Sequence, residues 1–260
     1  MDERTLRMFE ARFDYTKEKL ATLEEAIDEK TKQGVVIKAM YDAKLGDLIY
    51  ERTKLFYLCQ YLNKRVSIVK QHREKGEYIS SSMLDAMLES MRIENIDKLA
   101  QYKEKVEASK QYLESDDVGF YEKGIIYDQY KEIIYKIHPD LHYYTSPTNM
   151  NVFKRAQMAF IANDCVALAD LNRQICENVE NLTLKEKQQL LEKMEKLIHQ
   201  KNIKLEWIPI RAPFDKQELV TNEDMLNEEK RKLMHDIEQF EMIKKQLEDI
   251  IGQIVLKTDA

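Results

Sequence analysis

The stretch that decides the fold is residues 6–27, LRMFEARFDYTKEKLATLEEAI, in which apolar side chains recur at alternating steps of three and four. Charged residues fill most of the other positions, and the seam consists of Leu6, Phe9, Phe13, Leu20, Leu23 and Ile27, with Thr16 as its one polar member. This spacing is the heptad pattern of a coiled-coil helix. It predicts a long amphipathic helix with the acidic pair Glu24-Glu25 on its solvated surface.

A second stripe with the same spacing begins beyond Gly34. Its members are Leu45, Leu48, Leu55, Cys59, Leu62, Val66 and Val69, with Arg52 at one seam position. Gly34 follows a polar run and interrupts the pattern, and glycine destabilises a helix interior. Two heptad stripes that meet near Gly34 predict two long helices, joined there into an antiparallel coiled-coil hairpin over residues 1–78.

The middle of the chain is predicted to hold two further helical segments. Residues 79–118 should form connecting helices that start near Ser80-Ser81-Ser82, because serine caps helix N-termini. Residues 119–175 combine a helix, a polar loop and a second helix. Ser146-Pro147 marks the start of that second helix, since a capping serine precedes a proline at the first helical position.

The last segment, residues 176–260, predicts a C-terminal helical hairpin with a first helix that begins at Thr183. Residues 203–215 contain two prolines, which break helices. They are predicted to form an extended crossing that packs Trp207 and Phe214.

Composition agrees with an all-α protein. Charged residues make up 34% of the 260 positions, and the chain has only 6 Gly and 4 Pro. We expect a helical fraction far above the base rate of about one-third. The net charge of −6 disfavours a nucleic-acid partner, which needs a basic surface. Neither a phosphate-binding loop, a nucleophile elbow nor a dinucleotide fingerprint is present in the sequence, so we expect no enzyme activity and no cofactor.

The expected cellular location is based on targeting and membrane segments that the sequence lacks. The N-terminus has no basic and apolar run of the signal-peptide type, and no window approaches the ~18 apolar residues of a membrane span. The cysteines, Cys59, Cys165 and Cys176, are odd in number and widely spaced. We therefore expect a cytoplasmic protein with reduced thiols and no membrane contact. No metal site is expected, because Pro139 prevents His138 and His142 from sharing a helix face.

One tripeptide, His138-Pro139-Asp140, ends a helix and opens a loop to the next. A helix rich in Tyr, Ile and Lys leads into it, and the pattern Phe153-x-x-Ala156-x-x-Ala159-Phe160 follows the loop. With these features, residues 127–171 resemble the J domain of DnaJ-type co-chaperones. The tail Asn163-Asp164-x-x-Ala167-Leu168 is similar to the J-like module embedded in some bacterial coiled-coil proteins.

The resemblance implies a binding partner rather than a reaction. In J domains, the HPD loop and a basic second helix engage a DnaK-type chaperone and stimulate its ATP hydrolysis. The partner-binding residues implied here are His138, Pro139, Asp140, Lys131 and Lys136. Because the tripeptide lies in a helix-terminal loop, we expect its substitution to affect binding much more than stability.

The sequence departs from the J-domain pattern in its charge. Residues 121–172 carry five basic side chains (Lys123, Lys131, Lys136, Lys154, Arg155) and six acidic ones (Glu122, Asp128, Glu132, Asp140, Asp164, Asp170). A near-neutral module would steer only weakly towards an acidic chaperone surface. The Tyr-x-x-Leu-Gly start of the first J-domain helix, a Gly/Phe-rich linker and a CxxC zinc region are also missing from the sequence.

Two functions therefore stay open at this point. One is a J-domain-like co-chaperone or adaptor that acts through the HPD loop. The other is a non-enzymatic coiled-coil scaffold with a degenerate J-like fold. The long apolar seams must be buried against another helix, so both a monomer and a homodimer through the coils stay open.

Overall fold

The computed structural model describes residues 2–115, 120–176 and 181–256. Over these residues the fold is all-α, 88% helical and without strands, which confirms the predicted fold class. None of the described helices combines the length and apolar character needed to cross a membrane. The three cysteines form no disulfide with one another.

Eight α-helices and two short 3₁₀ turns follow one another in the described residues. They are α1 (Glu3–Glu74), α2 (Ser81–Ser115), α3 (Phe120–Ile137), α4 (Pro147–Ile161), α5 (Cys165–Arg173), α6 (Leu184–Trp207), the 3₁₀ turns Ile208–Ile210 and Phe214–Lys216, α7 (Gln217–Thr221) and α8 (Glu223–Leu256).

The predicted hairpin at Gly34 is wrong, because α1 continues through this residue as one helix of 72 residues. Gly34 allows the rings of Phe214 and Pro213 to pack closely on α1 and does not form a turn. A Cβ atom added at Gly34 would lie 3.3 Å from Phe214 Cε2 and 3.4 Å from Pro213 Cγ, so a side chain here would require the Phe214 ring to shift by a few tenths of an ångström. A helix tolerates such a residue at a cost of about 1 kcal/mol, which neighbouring helical hydrogen bonds and packing offset.

Helix starts agree well with the capping residues in the sequence. Ser146 Oγ accepts a hydrogen bond from the Asn149 amide at 3.1 Å, as predicted for the start of α4. Thr183, the predicted start of α6, also forms a capping box with Glu186. The α2 helix begins slightly earlier than expected, with Ser80 Oγ accepting from the Met83 amide. The boundary predicted at residues 118–119 lies outside the described residues.

The segment 203–215 is not an extended crossing. Helix α6 continues to Trp207, and two 3₁₀ turns follow. Proline is compatible with the first positions of a helical turn, so Pro209 and Pro213 redirect the chain without extending it. Phe214 is partly buried, but Trp207 is 50% exposed, so the predicted packing holds for only one of the two rings.

The chain divides into two compact units. The first contains residues 1–38 and 112–217, and the second contains residues 39–111 and 218–260. This division differs from the four predicted segments 1–78, 79–118, 119–175 and 176–260, because the unbroken α1 contributes to both units. Helix α6 belongs to the first unit and α8 to the second, so residues 176–260 do not form one unit.

The first unit is built around α3, α4 and α5, whose apolar faces pack together and against α1 and α6. The rings of Tyr130 and Phe160 stack at the centre, with centroids 4.2 Å apart. Burial raises the pKa of Tyr130, whose hydroxyl donates to Asp28 of α1 at 2.5 Å. The predicted helix–loop–helix at residues 120–161 is present, with α5 as a third helix.

Helix α1 presents a ladder of polar side chains to the rest of the first unit. Glu24, Asp28 and Lys32 follow one another at steps of four, which places them along one helix face. Asp28 accepts from Tyr130, and the buried Lys32 ammonium donates to the side-chain carbonyl of Asn163 and lies 4.3 Å from the Phe160 ring centroid. These contacts fix the position of α1 along the three-helix module, because a shift of one turn would put Asp28 or Val36 in the place of Lys32 beside Asn163 and Phe160.

The second unit packs α2, α7 and α8 on the remainder of α1. One apolar cluster contains Leu45, Leu226 and Leu233, and another contains Ile68, Leu84 and Leu88. The seam residue Arg52 is half exposed, and its Nη1 is 3.6 Å from Asp236 Oδ2 of α8. Gly46 lets α1 approach α2 closely at the buried Val106.

Two glycine substitutions should have opposite effects on stability. A Cβ atom at Gly46 would lie 2.5 Å from Val106 Cγ2, so Gly46→Ala should lower the free energy of unfolding by about 1–3 kcal/mol. Nothing lies within 4 Å of a Cβ atom at Gly124, so Gly124→Ala in α3 should raise it by about 0.5–1 kcal/mol. Urea denaturation measures both, and Val106→Ala should restore part of the loss in the Gly46→Ala background. Equal stability of Gly46→Ala and the wild type would contradict this packing.

Candidate functional site

The HPD turn, defined as His138, Pro139 and Asp140, closes α3 with a set of local hydrogen bonds. The His138 amide donates to the Ile134 carbonyl at 3.0 Å, and the Leu141 amide donates to the His138 carbonyl at 3.0 Å. The Asp140 amide donates to His138 Nδ1 at 3.1 Å. Proline lacks an N–H group and is restricted in φ, so every amide of the turn is either bonded or absent. The turn is therefore held in one conformation.

Helices α3 and α4 run antiparallel on either side of this turn. The His138 ring meets Phe153 edge-on at 4.6 Å, which joins the end of α3 to the first half of α4. Tyr130 and Phe160 make the corresponding contact farther from the turn. Helix α5 is capped by Asp164, which accepts from the Ala167 amide at 2.8 Å, and its Leu168 is fully buried in the same core.

His138 is buried, with 5% of its surface exposed, whereas Pro139 and Asp140 are half-buried. The premise that the tripeptide lies in an exposed loop therefore does not hold for His138, and we expect its substitution to lower stability as well as binding. The sequence pattern identified a helix-terminal loop, but it did not show that another helix covers the loop. The imidazole packs against Phe153 and orients the Asp140 amide, so it is part of the fold.

Two side chains from distant helices meet the turn and form a buried ion cluster, defined as Glu24, His138, Asp140 and Lys201. Lys201 Nζ of α6 lies 2.6 Å from Glu24 Oε1 and 3.1 Å from Asp140 Oδ2. His138 Nε2 lies 3.8 Å from Glu24 Oε2. Because only 5% of the Glu24 side chain and 19% of the Lys201 side chain are exposed, water screens this cluster weakly.

A second lysine of α6, Lys193, contacts the outer side of the turn. Its Nζ donates to the Pro139 carbonyl at 3.3 Å and lies 3.8 Å from Asp140 Oδ1. The Lys193 side chain is 48% exposed, so this contact is weaker than the one made by Lys201. Together the two lysines place an ammonium group near each carboxylate oxygen of Asp140.

Burial and neighbouring charges shift the pKa values of the cluster's ionisable groups in different directions. Burial lowers the pKa of His138 to about 4 and raises the pKa of Glu24, which Lys201 partly opposes. Burial alone would raise the pKa of Asp140, but Lys201 and the other nearby groups bring this pKa below its ordinary value. His138 is therefore neutral at pH 7. Since its Nδ1 accepts from the Asp140 amide, the proton lies on Nε2, which faces Glu24.

Glu24, His138 and Asp140 are of the residue types that bind metal ions, and their ligand atoms lie within 4.8 Å of one another. Two features favour an ammonium group over a metal ion at this position. Lys201 Nζ already lies within 3.1 Å of both carboxylates. In addition, the Nε2 atom that would coordinate a metal carries a proton as long as Nδ1 accepts from the backbone.

The two lysines implied as partner-binding residues lie elsewhere on α3. Lys131 Nζ is 4.0 Å from Glu25 Oε2, and Lys136 Nζ is 2.6 Å from Glu132 Oε1. Both side chains line a groove that also contains Asp14. The structure therefore places them on a face of mixed charge and not in the ion cluster around Asp140.

Sequence reasoning missed the charged partners of the HPD turn. Glu24, interpreted as a solvated residue, is only 3% exposed, while the seam residue Leu23 is half-buried. The signal that could have found it is spacing, because Glu24 lies between Leu20 and Ile27 at steps of four and three. Nothing in the local sequence distinguishes Lys193 or Lys201 from the other lysines of α6.

Comparison with known proteins gives no family assignment: the chain matches no family model, no curated protein and no solved structure. The observations that bear on function are therefore the HPD turn, the resemblance of residues 127–171 to J domains and the geometry of the ion cluster.

Lys201→Met should strongly destabilise the first unit. The substitution keeps the length of the side chain but leaves the Glu24 carboxylate buried without its cation, which costs about 3–5 kcal/mol. Adding Glu24→Gln should recover part of this loss, and urea denaturation of the two single variants and the double variant measures the coupling. The matched control is Lys196→Met, at an exposed position of the same helix, which should change stability little. Additive effects of the two substitutions would show that Glu24 and Lys201 do not interact.

The pH dependence of stability should carry a contribution from His138. Its folded-state pKa of about 4 lies below the ordinary value of 6.5, so between these pH values the unfolded chain binds a proton that the folded chain does not. The His138 contribution to the free energy of unfolding should therefore fall as pH decreases from 6.5 towards 4. Glu24 contributes in the opposite direction, because its pKa is raised in the folded state.

This dependence can be measured by urea denaturation across the pH range and by an NMR titration of the His138 ring. The slope should diminish in His138→Gln, while substitution of the exposed His199 by Gln should preserve it. An NMR midpoint near 6.5 would mean that the His138 ring is solvated.

Proposed function

We propose that this chain is a non-enzymatic co-chaperone or adaptor that engages a DnaK-type chaperone through its HPD turn. The observation that carries the proposal is the position of Asp140: a half-buried carboxylate on the turn between two antiparallel helices. This placement agrees with the role that the J-domain resemblance implies for the tripeptide.

The turn is well suited to bind a cation from a partner. Asp140 is held by the Pro139 ring and by the bond from its amide to His138 Nδ1, so little conformational entropy is lost when the carboxylate is bound. A guanidinium or ammonium group can form a charge-assisted hydrogen bond with it. His138 acts here as a positioning residue, since it touches Asp140 and is itself buried.

Burial also supports binding over catalysis. Glu24 and His138 are the groups of the cluster that could exchange a proton with a substrate, but they are 3% and 5% exposed. Little of either side chain is therefore accessible to a substrate. Asp140, with 25% of its side chain exposed, is the carboxylate of the cluster that a partner protein can reach most readily.

The second candidate is a scaffold in which the HPD turn has only a structural role. It is favoured by one observation: the tripeptide already binds to the chain's own helices, through Glu24 of α1 and Lys201 of α6. In that case the turn would join α1, α3 and α6, and the long helices would provide the binding surfaces.

Single-turnover ATP hydrolysis by the host's DnaK-type chaperone distinguishes the two candidates. The full-length protein should accelerate hydrolysis, and Asp140→Asn should abolish most of this effect, because a lost charged contact at an interface costs about 2–5 kcal/mol. The control is Asp170→Asn, at an exposed carboxylate of α5 in the same module, which should retain stimulation. A wild-type protein that leaves hydrolysis unchanged at saturating concentration would rule out the co-chaperone and favour the scaffold.

A further inference from the structure

Helix α6 covers the acceptor groups of the HPD turn. We propose that Lys193 and Lys201 form an autoinhibitory latch, in which the chain supplies to Asp140 the cations that a chaperone would otherwise supply. This inference rests on the proposed function, because a latch on the turn regulates binding only if the turn binds a partner.

The latch occupies the same atoms that a partner would use. Lys201 Nζ binds Asp140 Oδ2 at 3.1 Å, while Lys193 Nζ is 3.8 Å from Asp140 Oδ1 and donates to the Pro139 carbonyl at 3.3 Å. An incoming guanidinium group that binds a carboxylate with two hydrogen bonds needs both oxygens. It therefore competes with both lysines for these oxygens. Its apparent affinity is lowered in proportion to the fraction of molecules in which the lysines cover the turn.

Glu24 makes release of the latch feasible. When a partner takes Asp140 from Lys201, the ammonium group stays bound to the buried Glu24 carboxylate at 2.6 Å. Neither Glu24 nor Lys201 then remains as an unpaired buried charge, which would otherwise cost several kcal/mol. Lys193 is nearly half exposed, so water solvates it once it leaves the turn. The latch thus has a bound state and a released state that both satisfy its charges.

Two variants open the latch in different ways. Lys193→Met removes the outer contact and leaves the Glu24–Lys201 pair intact. Glu24→Gln with Lys201→Met removes the inner contact without leaving a buried unpaired carboxylate. Lys196→Met, on the exposed part of α6, is the matched control for the loss of a lysine from this helix.

The latch is measured with the full-length protein in two independent assays. In the absence of chaperone, hydrogen exchange of the Asp140 and Leu141 amides, which are bonded within the turn, should become faster in both opened variants. In the ATPase assay, the concentration that gives half-maximal stimulation should fall about tenfold in the double variant and about threefold in Lys193→Met. The Lys196→Met control should match the wild type in both assays.

The outcomes separate the latch from the proposed function. If stimulation occurs and its half-maximal concentration is unchanged in both opened variants, the latch is overturned and the co-chaperone function stands. If no variant stimulates hydrolysis at saturation, the co-chaperone function fails, and hydrogen exchange alone decides whether α6 closes the turn. Unchanged exchange in both variants would then overturn the latch as well. Should the double variant fail to fold, Lys193→Met provides the same tests.

Discussion

A carboxylate buried in the side of a long helix is the constraint on which the first unit depends. Glu24 is 3% exposed, and a buried charge of this kind must have a partner of opposite charge. Lys201 provides it and contacts Asp140 as well, so helix α6 is held against both α1 and the end of α3. The identity of the residues at this point therefore determines where three helices meet, while the apolar core around Tyr130 contributes hydrophobic burial.

The same helix carries two more polar residues that act in a similar way. Asp28 and Lys32 continue the row from Glu24, and each meets a specific partner in the α3–α5 module. An apolar seam alone permits sliding by one turn, because neighbouring apolar residues are nearly equivalent. Polar contacts at fixed steps remove that freedom at some cost in desolvation, much as buried polar residues set the register of coiled coils. In this protein the row aligns α1 with the module that contains the HPD turn.

Much of the fold could be predicted from local patterns, and the errors have a common cause. Heptad spacing predicted the all-α class. The capping residues Ser146 and Thr183 predicted the starts of α4 and α6 to within one residue of their observed positions. Gly34 was misinterpreted because a glycine for close approach and a glycine for a turn look the same in sequence. Of the site, the HPD turn was identified but its burial was not, because the residues that cover it, Glu24 and Lys201, are distant in sequence and ordinary in their local context.

The edge-on contact between His138 and Phe153 has a consequence for genetics. An allele that replaces this histidine removes a ring from the core as well as altering the turn, so the cell would contain less folded protein. A phenotype at this position therefore mixes reduced abundance with any loss of partner binding. Asp140 lies nearer the surface, so alleles there offer a clearer view of what the turn does in a living cell, provided that protein levels are compared alongside the phenotype.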